Sequence, residues 1–323
     1  METRRVQKTS DGTYFVTLPK AWATLRGVER GSLLAFENGK DGKLTLGLYA
    51  KEERSFASAT LSPSSMLERE IEEKYLLGYD LIQIESKEVL HSEVRDKAKA
   101  ILKRLVGLEI VEEDAHKIVI QCLIEPSLLE PQKIIRRLHS ITTAMQQDAV
   151  AAFTTCDSKL AITVVERDEE VDRLYFLLVR IVRAALTDLT TAERVHTSPV
   201  DCLDYRILAS LIEHFGDCSA FIAANVLKEK GRLPKALSRN LEKANEIVNL
   251  MYARSVEAVL SRNLELLSDV VNLQRRALAN LKDAERALAG LGAEPIDKAS
   301  SAIASLKAMC DINIDIADLT ITR

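Results

Sequence analysis

From residue 130 onward the chain repeats one pattern: long stretches whose apolar residues return at helical spacing, each opening near a proline or a turn. Six such stretches run at roughly 131–155, 158–189, 199–229, 234–260, 263–290 and 295–321. Pro131, Pro199, Pro234 and Pro295 stand at helix starts, where the missing N–H costs nothing, and Ser198-Pro199 is a good N-cap/N1 pair. Helices of this length are stable only when each buries its apolar face. That commits the second half of the chain to a helical bundle.

The six helices fall into two sets of three. ERDEEVDRLYFLL at 166–178 aligns with LLSDVVNLQRRAL at 266–278, placing Val171 over Val271 and Asp172 over Asn272. SLIEHFGDCSAFIAANVL at 210–227 aligns with SLKAMCDINIDIADLTI at 305–321, placing Glu213 over Lys307 and Asp217 over Asp311. The helix-start prolines recur at similar offsets. An internal repeat of about a hundred residues, two three-helix bundles in tandem, follows.

The first 126 residues are built differently. TYFVTLP, SLLAFEN and KLTLGLY are short β-prone runs, cut by turn signals at Asp11-Gly12, Gly31, Asn38-Gly39 and Asp41-Gly42. KAWATLRGV between the first two gives one or two helical turns closed by Gly27. Trp22 and Phe15 read as core. Such a piece is too small for a good core and usually completes itself with a second chain. Residues 55–126 read as a small α+β unit: a helix over about 64–77, strand Leu81–Glu85, a helix over about 92–106 stopped by Gly107, and a hairpin around Asp114-Ala115.

Composition narrows the class. Hydrophobic residues make up 47% and charged residues 28%, no apolar run approaches a membrane span, and the N-terminus has no secretory signal. The five cysteines lack any paired spacing, as expected of reduced thiols, so the expected setting is the cytoplasm. A net charge of −4 argues against a chain that coats nucleic acid. Residues 1–30 nevertheless carry six basic side chains (Arg4, Arg5, Lys8, Lys20, Arg26 and Arg30) against three acidic ones. Arg4, Arg5, Lys8, Lys20 and Arg26 are the candidate DNA contacts, reaching phosphates from strands and loops; an ordinary solvated surface is the plain alternative.

The residues that carry chemistry are carboxylates. Asp168/Asp172 and Glu213/Asp217 are pairs spaced by four on two successive helices, so each pair shares one helix face. Four converging carboxylates need protons or a cation. The donor set is all oxygen, which selects a divalent or trivalent iron, manganese, magnesium or calcium ion ahead of zinc. A solvated acidic face is the competing reading. In the second copy, Asn272, Lys307 and Asp311 make a degenerate site in which Lys307 supplies an internal cation, so one loaded site per chain is expected. The Glu-x-x-His spacings Glu88/His91, Glu113/His116 and Glu193/His196 fall at edges and turns, His214 points away from Glu213, and no catalytic fingerprint occurs. No enzyme is expected.

Two resemblances sharpen these expectations. RRVQKTSDGTYFVTLPKAWATLRGVERGSLLAFENGKDGKLTL resembles the SpoVT/AbrB-type swapped-hairpin domain over residues 3–48, through its basic first strand, Leu-Pro-Lys before a short helix, and Gly-x-x-x-Gly before the second strand pair. The resemblance implies a homodimer whose interleaved hairpins bind DNA. Asp168-Glu-Glu-Val-Asp172 and Glu213-His-Phe-Gly-Asp217, the latter within IEHFGDCSAFIA, resemble the repeated acidic motif of the PhoU phosphate-uptake regulators, which are two tandem three-helix bundles. The combination looks like archaeal PhoU-domain regulators. The expected fold is mainly α: 1–54 a DNA-binding and dimerisation domain, 55–126 an α+β connector, 127–230 and 231–323 the two bundles. The implied function is a DNA-binding transcriptional regulator of phosphate homeostasis that senses through a metal or a partner. The alternative is an adaptor that binds no DNA and docks on a phosphate transporter or sensor kinase, without membrane insertion.

Overall fold

The computed structural model of the chain describes residues 3–38, 42–49, 57–228, 233–288 and 293–321. Two compact units result, Met1–Phe56 and Ala57–Arg323.

In the first unit, β1 (Gln7–Lys8) pairs with β2 (Tyr14–Phe15), and β3 (Leu34–Asn38) with β4 (Leu44–Leu48), both antiparallel, with α1 (Lys20–Leu25) between the hairpins. Gly27, at φ +63, takes the left-handed conformation just past the end of α1. Gly39 and Asp41, named above in turn signals, lie outside the described residues. None of the side chains described in this unit, those of residues 3–36, 42–47 and 49, is buried. Phe15, read above as core, is 46% exposed, and Trp22 is half-buried. Two short hairpins on one chain cannot enclose an aromatic ring.

The second unit begins with a four-stranded sheet. Its elements are β5 (Ser58–Leu61), α2 (Leu67–Leu76), β6 (Leu81–Glu85), α3 (Ser92–Arg104), β7 (Leu108–Glu113) and β8 (Lys117–Cys122), in strand order β5-β6-β8-β7. β5 runs parallel to β6 and the other pairings are antiparallel. The expected helices, strand and hairpin are all present. Asp114 turns the hairpin by accepting from the His116 and Lys117 amides at 2.7 and 2.8 Å. β5 escaped the sequence reading because only Leu61 in it is buried, leaving no apolar run to see. Ile82, Ile84, Ile118 and Ile120 pack against Leu67, Ile71, Tyr75 and Ile101 to form a core separate from that of the helices.

The helical body follows: α4 (Pro131–Thr155), α5 (Ser158–Thr187), α6 (Leu189–Arg194), α7 (Pro199–Lys228), α8 (Lys235–Ser261), α9 (Glu265–Leu288) and α10 (Ala293–Asp318). Residues 229–232 and 289–292, where two expected helices end and a domain boundary was placed, lie outside the described residues, as does the boundary near 54. Local caps set the starts. Asp157 accepts from the amides of Lys159 and Leu160 at 3.0 and 3.1 Å to open α5. Asp201 and Ser198 cap each other's amides at 3.1 Å to open α7. One apolar core runs through both bundles, from Leu138 and Val171 through Phe215 to Tyr252, Leu281 and Leu306. α7 is long and apolar enough to cross a membrane by length and composition, yet 56% of its most apolar window is buried against its neighbours.

One arginine ties the sheet module to the bundle. Arg180 of α5 is 1% exposed and donates to the carbonyls of Tyr75 at 2.6 Å, Tyr79 at 3.0 Å and Gly78 at 3.4 Å, with Asp80 Oδ1 at 3.4 Å. These carbonyls end α2, so the guanidinium sits where the helix dipole is negative and orphan acceptors need donors.

The internal repeat is present, but its register differs from the one the sequence suggests. α4 and α8 both end on a left-handed residue, Cys156 at φ 60 and Arg262 at φ 56, and the next residue in each caps the following helix, Asp157 and Asn263. This register puts Gln146 over Tyr252 and His139 over Asn245. Gln146 Nε2 donates to Asn245 Oδ1 at 2.6 Å, and His139 meets Tyr252 edge-on at 4.6 Å. The two contacts exchange under the repeat, as an isologous interface requires. Aligning Val171 with Val271 is therefore a slip of less than two turns: Val171 is fully buried and Val271 is 39% exposed. Between α7 and α10 the expected register fits, since Leu208, Ile212, Phe215 and Ile222 match the equally buried Ala302, Leu306, Met309 and Ile316.

Candidate functional site

The four carboxylates of the first bundle face one seam. Gly216 on α7 lets that helix close on α4 beside α5: a Cβ there would stand 3.2 Å from Thr142 Cγ2 of α4 and 3.8 Å from Asp168 Oδ1 of α5. Asp168 Oδ1 is buried and has no hydrogen-bond partner. Burial, with Asp217 and Asp172 adding to it, pushes the Asp168 carboxyl up to about 6. Burial likewise pushes Glu213 to about 7, with Asp217, Asp172 and Asp168 contributing in that order. Asp217 is raised by burial and eased by His214, which is exposed. Asp172 is raised by burial and drawn back by Arg104 of α3, whose Nη2 lies 3.9 Å from Asp172 Oδ2.

These acids repel one another and take up protons more readily than free carboxylates. Among the described residues, however, no three His, Cys, Asp or Glu side chains stand close enough together to hold one ion. The arrangement is an acidic seam, not a formed ion cage. Beside it, a cleft of about 820 Å³ opens between α3 and α5, lined by Lys103, Arg104, Val106, Asp172, Leu174 and Leu177. Sequence reasoning missed this cleft, because nothing local says that α3 docks there.

The second copy is resolved differently from the expected degenerate site. With Cys156 set on Arg262, the counterpart of Asp168 is Gln274 and that of Asp172 is Leu278. Gln274 Nε2 donates to Asp311 Oδ1 at 3.3 Å. The amide thus supplies the hydrogen that Asp168 lacks when it is ionised. Asn272 lies apart, beside Leu250 and Arg254 of α8. Lys307 pairs with Glu285 at 2.6 Å and serves no internal site. The Glu-x-x-His spacings sit at edges as expected: His91 precedes α3, Glu113 ends β7 and pairs with Arg95, and His196 follows α6 at φ 52.

In the first unit Arg4, Arg5, Lys8, Lys20 and Arg26 are all exposed. Lys8 lies over the Tyr14 ring at 5.1 Å, and Arg26 borders a hollow with Trp22, Leu25, Leu46 and Gly47. Lys20 opens the short helix α1 and Arg26 follows its end, whereas Lys8 lies on β1.

Comparison with known proteins bears on the helical part. The sequence model of the PhoU domain matches residues 135–226, the first bundle. The crystal structure of PhoU from Pseudomonas aeruginosa superposes with a TM-score of 0.53 at 18% identity, covering 60% of this chain and 95% of that one. The helical body has the PhoU fold. A second structure, the phosphate transport system regulatory protein PhoU from Streptococcus pneumoniae, gives a TM-score of 0.50 at 15% identity, over 59% of this chain and 91% of that one. Comparison with curated proteins gives no match.

Proposed function

We propose that the chain is a cytoplasmic regulator of phosphate uptake whose PhoU-like body docks on a phosphate transporter or on the sensor kinase that governs it. The observation that carries this reading is the PhoU domain match over the first bundle, on a fold shared with a phosphate transport regulator. The acidic seam belongs to the matched bundle, and the cleft beside it lies between that bundle and α3; together they offer a charged surface for a partner. Cells lacking the chain should take up phosphate faster than wild type when phosphate is plentiful. Unchanged uptake at both high and low phosphate would sink the proposal.

A second reading rests on the first unit. Five exposed basic side chains stand on a piece with no buried side chain among those described, which favours completion by a second copy and contact with DNA phosphates. Gel shifts on genomic fragments should show salt-sensitive binding that Arg4→Ala/Arg5→Ala weakens by about tenfold or more. Absence of binding at every salt concentration leaves the adaptor reading alone.

A further inference from the structure

Between α4 and α8, on the face where Arg136 and His139 stand across from Arg254, the surface sinks into a hollow of about 360 Å³. That is near the lower end of the size range of small-molecule pockets. Its apolar wall comes from Leu250, Val256 and Leu260 of α8. His139 brings an unmet hydrogen-bonding demand: its Nε2 is buried and has no partner. Burial, with Arg136 adding to it, pushes the imidazole down to about 4, so the ring is neutral near pH 7 and offers one uncharged donor or acceptor. Core packing holds that ring in place. It meets Tyr252 edge-on, and Tyr252 in turn stacks on Phe215 at 3.8 Å and shares a hydrogen bond with Thr142 Oγ1 at 2.8 Å.

The internal repeat tells which of these features helix packing itself requires. In the register that sets Cys156 on Arg262, Arg136 corresponds to Glu242 and Arg254 to Asp148, so both cations become carboxylates. His139 corresponds to Asn245, which already accepts from Gln146 Nε2 at 2.6 Å. Leu250 and Leu260 become Ala144 and Thr154. The same antiparallel helix pair therefore packs at its other end without guanidinium groups, leucine wall or orphan nitrogen. Glu257 stands 3.7 Å from Arg136, but both are more than half exposed, and such pairs contribute little. Arg254 also borders a smaller hollow that Asp269 lines, and it pairs with no carboxylate among the described residues. Two guanidinium groups against one carboxylate leave the hollow with one net positive charge. We propose that it binds a small organic anion, with the anionic head between Arg136 and Arg254, a compact apolar body against Leu250, Val256 and Leu260, and a polar substituent on His139 Nε2. This goes beyond the adaptor reading and does not depend on it, since none of these residues belongs to the acidic seam.

The test is titration calorimetry on the full chain with two probes, 4-hydroxybenzoate and phenyl phosphate. Phenol lacks their charge and acetate their apolar body. Both probes should bind with a Kd of about 1 mM or tighter, and phenol and acetate about tenfold more weakly or not at all. Arg254→Asp installs the charge found at the matching position of the repeat, on an exposed side chain, and should cost about tenfold or more in affinity for both probes. Arg239→Asp makes the same charge change on an exposed part of α8 outside the hollow and should leave binding unaltered. His139→Phe keeps the edge contact with Tyr252 and should weaken 4-hydroxybenzoate more than phenyl phosphate, which has no hydroxyl for Nε2. Circular dichroism verifies that each variant is folded. Three results overturn the proposal: no binding of either probe up to about 10 mM, phenol binding as tightly as the probes, or equal losses in Arg254→Asp and Arg239→Asp. Unchanged affinity in Arg254→Asp overturns it as well.

Discussion

Replacing Arg180 by methionine will destabilise the second unit by about 3–5 kcal/mol, the cost of removing one partner from a buried charged hydrogen-bond set. The guanidinium spans three carbonyls at the end of α2 and reaches Asp80, and it lies over the Tyr75 ring at 5.0 Å. Methionine refills the volume and takes the guanidinium from three carbonyls and a carboxylate, leaving the Tyr75 carbonyl with only the Gly78 amide and Asp80 with the Ala57 amide. Arg180→Lys should recover little, because one ammonium cannot meet the planar fork of acceptors. Urea unfolding measures the loss, and hydrogen exchange should show it concentrated in residues 67–85 with the bundle core less affected. A loss below about 1 kcal/mol would mean that the sheet module is held by its apolar contacts alone, through Phe176 and Ile124.

The second expected result concerns pH. In the folded chain Asp168 titrates near 6 and Glu213 near 7; unfolded, they return to 3.8 and 4.5. Between those values the folded state binds more protons than the unfolded state, so stability falls as pH rises. The contribution is complete below about pH 4 and gone above about pH 7. Both groups are half open to solvent, and screening reduces each contribution to about 1 kcal/mol. Asp168→Gln with Glu213→Gln should flatten the slope and raise the urea midpoint at pH about 8 above that of wild type. Asp168→Gln also reproduces the second copy, offering Asp217 the amide that Gln274 offers Asp311. A midpoint that depends on pH equally in wild type and variant would show that the seam acids are already satisfied by solvent.

Much of this was written locally in the sequence. Pro131, Ser198-Pro199 and the apolar spacing place the helix starts, because capping and amphipathicity act within one or two turns. The four carboxylates were visible for the same reason: a spacing of four fixes a shared face whatever the helix meets. The PhoU resemblance was legible at Glu213-His-Phe-Gly-Asp217, and its fold is present. Phe15 was misread because two short hairpins give its ring no enclosing core, and β5 was unseen because only Leu61 in it is buried.

The relation between helices was not legible. A periodic apolar pattern matches shifted copies of itself, so Val171 can be set on Val271; only the left-handed caps at Cys156 and Arg262 and the exchanged contacts Gln146–Asn245 and His139–Tyr252 remove the ambiguity. From its sequence alone the chain is a tandem helical bundle with an acidic face and a basic, coreless head. Tertiary structure alone decided that Gln274 rather than Asn272 meets Asp311, that Arg180 anchors the sheet module, and that Asp168 keeps a buried oxygen without a donor. The physical reason is the same in each case. Local sequence sets which way a side chain faces on its own helix, and packing sets what it faces.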